Sequence, residues 1–167
     1  RPRHLMIPED HPVNLRLAFC WIGLVVFALP MLPNIAYAIW PPRGGEAPPA
    51  RKYPLLEGVE QASRTFYLLA LTLLVSSTPR DMSSPWLYLG IVFLALYFVV
   101  WLRYFVGGRD PLLLGTSFLG IPVPLAVFPV LYFLCAALWL HNPVAAGCML
   151  VFGIAHITVS CRTLPQV

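Results

Sequence analysis

The sequence predicts an all-α integral membrane protein, a bundle of five transmembrane helices. Two observations predict this class. Of the 167 residues, 59% are apolar and only 11% are charged. The apolar residues also fall into five long blocks, and a helix of roughly 20 apolar residues is long enough to cross the hydrocarbon core of a bilayer. Because an unpaired backbone group is costly in lipid, each block is expected to be helical.

Proline residues interrupt the first and fourth blocks. Pro30 and Pro33 lie inside the first block, and Pro122, Pro124 and Pro129 lie in the fourth. Proline lacks the backbone donor and clashes with the preceding turn, so the first and fourth helices are expected to be kinked. The five predicted helices cover residues 15–40, 55–77, 86–106, 121–140 and 144–161.

The third block is the most uniformly apolar, and aromatic residues mark its ends. Trp86 opens it, and Trp101 and Tyr104 lie near its close. Amphipathic rings favour the headgroup level of a bilayer, which supports these boundaries. The segment 111–121 follows, where glycine and proline break a short apolar run. It is too short to span, so a re-entrant or an interfacial hairpin is expected there.

Composition limits the domain organisation and the classes of function. The longest polar stretch, 41–54, is rich in proline and glycine and is typical of a connector. The whole chain, 1–167, is therefore predicted to be a single transmembrane domain. No catalytic, metal-binding or nucleotide motif is recognisable, so no catalytic residue, metal or cofactor is predicted. The cysteines lie far apart in apolar blocks without a C-x-x-C pair, which indicates buried thiols.

The basic residues indicate orientation and lipid contact. The formal net charge is +4, and the basic residues are spread over the connectors rather than clustered as a nucleic-acid groove requires. Five spans would place four of them on one face and seven on the other, so the second face is expected to be cytoplasmic. The second group comprises Arg43, Arg51, Lys52, Arg64, Arg103, Arg109 and Arg162. Membrane lipids are the expected partners, together with a larger membrane complex or further copies of the chain.

The strongest candidate site opens the second block. Glu57, Glu60 and Arg64 are spaced i, i+3 and i+7, which places them along one helical face. Glu60 and Arg64 are expected to form an i,i+4 ion pair. Two interpretations remain open: an interfacial helix start whose dipole stabilises the two acids, or a polar ligand-binding site that faces the interior of the bundle.

Three further polar residues complete the candidate ligand-binding set. His156 lies deep in the fifth block, where it is expected to contact a polar group on another helix. Candidate partners are Asn34, Thr72, Ser76 and Ser77. Asn34 follows Pro33, so its amide could satisfy a carbonyl that the proline frees. Arg103 lies near the end of the third block and could instead extend to the headgroups.

Three stretches of the chain resemble an uncharacterised group of small bacterial multi-pass membrane proteins. These stretches are YPLLEGVE, WLRYFVGGRD and GIPVPLAVFPVLYF. The resemblance implies a cell membrane location, in the bacterial cytoplasmic membrane, and implies nothing about activity.

The leading functional hypothesis is a non-enzymatic accessory subunit or a binder of a small lipophilic ligand. The alternative is a small oligomeric transporter or channel, and a membrane-embedded enzyme ranks third. Convergence of the charged residues on one cavity would favour binding or transport. Separate contacts within the protein or with headgroups would favour a structural subunit.

Overall fold

The computed structural model describes residues 14–43 and 52–163, and this part of the chain is mostly helical. Two short strands form a ribbon, β1 (Leu15–Leu17) and β2 (Leu74–Ser76). The helices in the described ranges are α1 (Trp21–Ala28), α2 (Met31–Ile39), α3 (Pro54–Leu73), α4 (Pro85–Val106), α5 (Leu112–Gly115), α6 (Pro124–Trp139) and α7 (Pro143–Thr163).

Helix α6 is the centre of the packing. It packs against α4 and α7, α3 packs against α7, and the hydroxyl of Tyr67 on α3 donates to the carbonyl of Phe133 on α6. Ten of its 16 residues are buried, including Phe128, Tyr132 and Phe133. Gly153 allows α7 to approach α6 closely, since a Cβ added there would lie 2.6 Å from Cγ1 of Val130. The core is therefore built mainly around the shortest of the four main helices.

The predicted break in the first apolar block is confirmed. Helices α1 and α2 are bent by 44° at residues 29–30. Pro30 has no N–H group, so the carbonyl of Val26 loses its usual helical donor. The hydroxyl of Tyr132 donates to that carbonyl at 2.9 Å. A tyrosine of the central helix thus satisfies the group that the proline leaves free.

The ribbon corrects the all-α prediction at two places. β1 pairs antiparallel with β2, with Leu15 opposite Ser76 and Leu17 opposite Leu74. The sequence had placed both segments inside the predicted helices 15–40 and 55–77. Each segment is apolar enough for a helix, but its backbone groups pair with a strand that is distant in sequence. Local apolar periodicity cannot show such a partner.

The five predicted spans are not supported. Within the described ranges, α4 and α7 are long and apolar enough to cross a membrane, and the bent pair α1–α2 makes a third if it counts as one span. Helix α3 does not qualify, because it carries three charged residues, Glu57, Glu60 and Arg64, in its first half. Helix α6 has 16 residues, about 24 Å of helix, whereas the hydrocarbon core is roughly 30 Å thick.

Side-chain and backbone contacts define two ends of the molecule. At the end that we call the ribbon end, the indole of Trp139 donates to the carbonyl of Asp81 at 3.0 Å; this end comprises β1, β2, 77–84 and 140–142. At the other, which we call the arginine end, the N–H of Arg43 donates to the carbonyl of Arg109 at 3.2 Å. The arginine end comprises 40–43, 52–53, 107–123 and 162–163.

Candidate functional site

A carboxylate and an imidazole from two different helices meet in the structure. Nδ1 of His156 on α7 lies 2.9 Å from Oε1 of Glu60 on α3. The two side chains are only 28% and 19% exposed, respectively. The prediction that His156 contacts a polar group on another helix is therefore confirmed. The four candidate partners were wrong, because the group that lies within reach is Glu60.

The periodicity of α3 explains why Glu60 faces inward. Its buried residues include Ser63, Tyr67 and Leu71. Counted from Glu60, these lie at i+3, i+7 and i+11, one stripe of a 3.6-residue helix. Glu60 thus extends the buried face of α3 by one turn towards the helix start.

The same argument places His156 on α7. Ala145, Met149 and Phe152 are buried on α7, and His156 continues their stripe at the next i+4 position. The imidazole stacks on the ring of Phe152, with a centroid separation of 4.9 Å and an interplanar angle of 17°. That stack fixes the plane of the imidazole and aims Nδ1 at α3.

The pair can hold a proton between its two groups. A neutral imidazole donates from Nδ1 to the carboxylate, and a protonated one forms an ion pair with it. Within residues 14–43 and 52–163, no group of three histidine, cysteine, aspartate or glutamate residues could hold a metal ion. The pair itself supplies one hydrogen-bond donor and one acceptor.

Glu57 and Arg64 do not join this pair. Oε1 of Glu57 accepts a hydrogen bond from the backbone N–H of Tyr53 at 2.8 Å, so this carboxylate caps the start of α3. Nη2 of Arg64 donates to the side-chain oxygen of Gln61. The expected pair between Glu60 and Arg64 is not formed, because Ser63 rather than Arg64 continues the buried stripe.

Arg103 braces the segment 111–121 instead of lining a shared site. Its Nη2 donates to the carbonyl of Leu113 at 3.0 Å and to Oγ1 of Thr116 at 2.7 Å. The guanidinium carbon also lies 5.6 Å from the ring centroid of Phe118. The segment itself contains α5 and a tight turn closed by a bridge between Phe118 and Ile121. Arg103 thus ties α4 to this irregular connector.

Asn34 does not bond the carbonyl that Pro33 frees, which is that of Leu29, but it bonds two neighbouring groups. Its Nδ2 donates to the carbonyl of Pro30 at 2.9 Å and to the hydroxyl oxygen of Tyr97 at 3.0 Å. The amide therefore supports the break between α1 and α2 and ties it to α4. Of the six predicted ligand-binding residues, the structure brings together only Glu60 and His156.

A groove that the sequence did not indicate lies beside this pair, at the arginine end. It has a volume of about 400 Å³ and is formed where α3 begins and α7 ends. Because α3 and α7 are far apart in sequence, no local pattern brings their ends together. The lining residues are Lys52, Tyr53, Pro54, Leu55, Leu56, Val59 and Arg162.

Comparison of the chain with protein-family models, with curated proteins and with solved structures finds no significant match.

Proposed function

We propose that the chain is a non-enzymatic accessory subunit of a membrane protein complex in the cytoplasmic membrane of a bacterium. The observation that carries the proposal is the separation of the charged residues. Glu57 caps a helix, Arg103 braces a connector and Arg64 bonds within its own helix. These three side chains are committed to structural contacts and do not converge on a common site, as catalytic groups would.

The outer face of α4 supports a role in assembly. Only 28% of its most apolar stretch is buried inside the chain. Tyr88, Val92, Val99, Leu102 and Val106 are exposed at spacings of i, i+4, i+11, i+14 and i+18. This is the spacing of a heptad seam, which packs against a second helix by knobs-into-holes contacts. The face therefore suits a helix of a partner subunit.

Site-specific photo-crosslinking tests the proposal. A photoreactive residue at Val99, which is 45% exposed, is compared with one at Val100, which is fully buried. In native membranes, we expect the Val99 probe to form one discrete protein adduct that increases with the partner's abundance. The Val100 probe should form none. Lipid adducts alone at Val99 would contradict an accessory subunit, and an adduct between two differently tagged copies would reveal a homo-oligomer.

A second candidate, a small oligomeric transporter linked to protons, is favoured by one observation. Glu60 and His156 form a carboxylate–imidazole pair between the packed helices α3 and α7, and both side chains are mostly buried. Intramembrane ionisable pairs of this kind are used in proton relays. In proteoliposomes with a trapped pH dye, this candidate requires proton flux that His156→Gln abolishes. Flux that is unchanged by the substitution, or that is absent from the wild type, would contradict it.

A further inference from the structure

The groove at the arginine end combines apolar and cationic walls. Its floor is formed by Pro54, Leu55, Leu56 and Val59 from the first two turns of α3. Leu55 is 88% exposed and Val59 is 47% exposed, so these apolar side chains are not covered by the described part of the chain. The volume of about 400 Å³ falls within the range of roughly 300–1,000 Å³ that is usual for ligand sites.

Two cations stand at the rim of this apolar floor. Lys52 precedes α3, and Arg162 lies in the last turn of α7. Both side chains are exposed. The guanidinium carbon of Arg162 lies 5.4 Å from the ring centroid of Tyr53, which holds it beside the groove. The ion pair that the described residues form is the one between Glu60 and His156. No described carboxylate therefore lies within ion-pair distance of Lys52 or Arg162.

The order of these groups along the helix axis matches an amphiphile at a membrane surface. The cations lie at the helix ends, and Leu55, Leu56 and Val59 continue inward along α3 towards Glu60. Basic residues beside a membrane attract anionic headgroups. Apolar side chains below them offer a surface for an acyl chain.

We propose that this groove binds one membrane phospholipid with an anionic headgroup. Its phosphate lies between Lys52 and Arg162, and one acyl chain lies along Leu55, Leu56 and Val59. The site is separate from the outer face of α4, so its failure would leave the accessory-subunit proposal intact, and the reverse also holds.

Native mass spectrometry of the full chain in detergent, titrated with defined lipids, tests this site. We expect phosphatidylglycerol to bind at least about tenfold more tightly than phosphatidylcholine. The variant Lys52→Gln with Arg162→Gln should bind phosphatidylglycerol roughly 30-fold more weakly, the combined effect of two basic residues at an anionic headgroup. Lys52→Arg with Arg162→Lys, which keeps both charges, should retain most of the affinity.

A matched control removes two charges at the same end but outside the groove. Arg43→Gln with Arg109→Gln has the same net charge as the groove variant and should bind phosphatidylglycerol within twofold of the wild type. Equal losses in the two variants would show a diffuse charge effect and overturn the proposal. So would equal affinity of the wild type for the two lipids, or displacement of the lipid by millimolar inorganic phosphate, which would mark a site for free anions.

Discussion

At the scale of single residues, the contact between Glu60 and His156 stabilises the structure only while both side chains are present. Glu60 is intermediate in burial and points at α7, and His156 points back at α3 from a stack on Phe152. Removal of one partner leaves the other partly desolvated without its hydrogen bond. Replacement by a side chain that can still form the bond should be far milder.

This reasoning predicts different effects of two substitutions at one position. His156→Leu should lower the free energy of unfolding by roughly 1–3 kcal/mol, because the Glu60 carboxylate loses its partner. His156→Gln keeps a donor near Glu60 and should cost less. Unfolding in mixed micelles, with Glu60→Gln as the second arm of a double-mutant cycle, measures the coupling. A coupling free energy near zero would show that the contact contributes nothing to stability.

Substitution of Arg64 should have little effect on stability by comparison. Arg64 is exposed and bonds to Gln61 of its own helix. Arg64→Leu should therefore shift the melting temperature no more than Arg80→Leu, which replaces another exposed arginine at the ribbon end. A markedly larger loss for Arg64→Leu would restore the ion pair with Glu60 that the sequence predicted.

The sequence could predict the members of this site but not their pairing. Glu60 and His156 were both identified, since ionisable groups in apolar blocks are costly enough to need a partner. Glu60 was paired with Arg64 because the i,i+4 rule considers only neighbours within one helix. The partner of His156 was sought on other helices, but the sequence does not show which helix face lies opposite it. Lys52 and Arg162 were missed as a pair for the same reason: nothing local indicates that the start of α3 lies beside the end of α7.

At the scale of elements, the side chain of Asn142 links the start of α7 to the end of α3. Its Oδ1 accepts from the N–H of Ala145 at 2.9 Å, which caps the start of α7. Its Nδ2 donates to the carbonyls of Ala70 and Leu74 at 2.8 and 2.9 Å, which ties that turn to the end of α3. The side chain is almost completely buried, so water cannot replace these bonds.

Asn142→Ala should therefore be strongly destabilising. Loss of the cap and of the bonds to two carbonyls should together lower the free energy of unfolding by about 2–3 kcal/mol. Asn142→Ser keeps a good cap acceptor but loses the two bonds to the carbonyls without adding a buried charge, so it separates the two contributions. Chemical denaturation in detergent measures both variants, and a loss below about 0.5 kcal/mol for Asn142→Ala would contradict this role.

Glycine permits the closest approach between α1 and α3. A Cβ at Gly23 would collide with the backbone carbonyl oxygen of Leu71, which cannot swing aside as a side chain can. Gly23→Ala should lower the free energy of unfolding by roughly 1–3 kcal/mol. Gly147→Ala on α7 is the control, since nothing lies within 4 Å of its added Cβ. Equal melting temperatures for the two variants would contradict a tight contact here.

Helices in the continuously apolar blocks were the easiest elements to predict. The predicted helix 86–106 corresponds to α4 (Pro85–Val106), and 144–161 corresponds to α7 (Pro143–Thr163). The errors lie at the ribbon, where residues 15–17 and 74–76 leave the predicted helices to pair with each other. The count of spans was also wrong, since apolar composition alone does not separate a short or a charged helix from one that crosses a bilayer.

At the scale of the whole molecule, positive charge is concentrated at one end. Among the described residues, Arg43, Lys52, Arg103, Arg109 and Arg162 lie at or near the arginine end. Arg16 and Arg80 lie at or near the ribbon end. Under the positive-inside rule, the arginine end is expected to be cytoplasmic.

Labelling of single cysteines from outside the cell tests this orientation. Met82→Cys and Asp110→Cys replace exposed residues at the ribbon end and the arginine end, in a background with Cys161→Ser. A membrane-impermeant maleimide should label Met82→Cys in intact cells and reach Asp110→Cys only after lysis. Labelling of both positions in intact cells would place the two ends on one side, and the reversed pattern would invert the orientation.

The pairing of β1 with β2 constrains the order in which the chain folds during its synthesis. Leu15 pairs with Ser76, so the ribosome completes α1, α2 and α3 before the first strand finds its partner. An open strand in hydrocarbon leaves N–H and C=O groups unsatisfied at several kcal/mol each. We therefore expect β1 to remain in water or inside the translocon until β2 has been synthesised. The chain from β1 to β2 would then reach its final position as one unit closed by the ribbon.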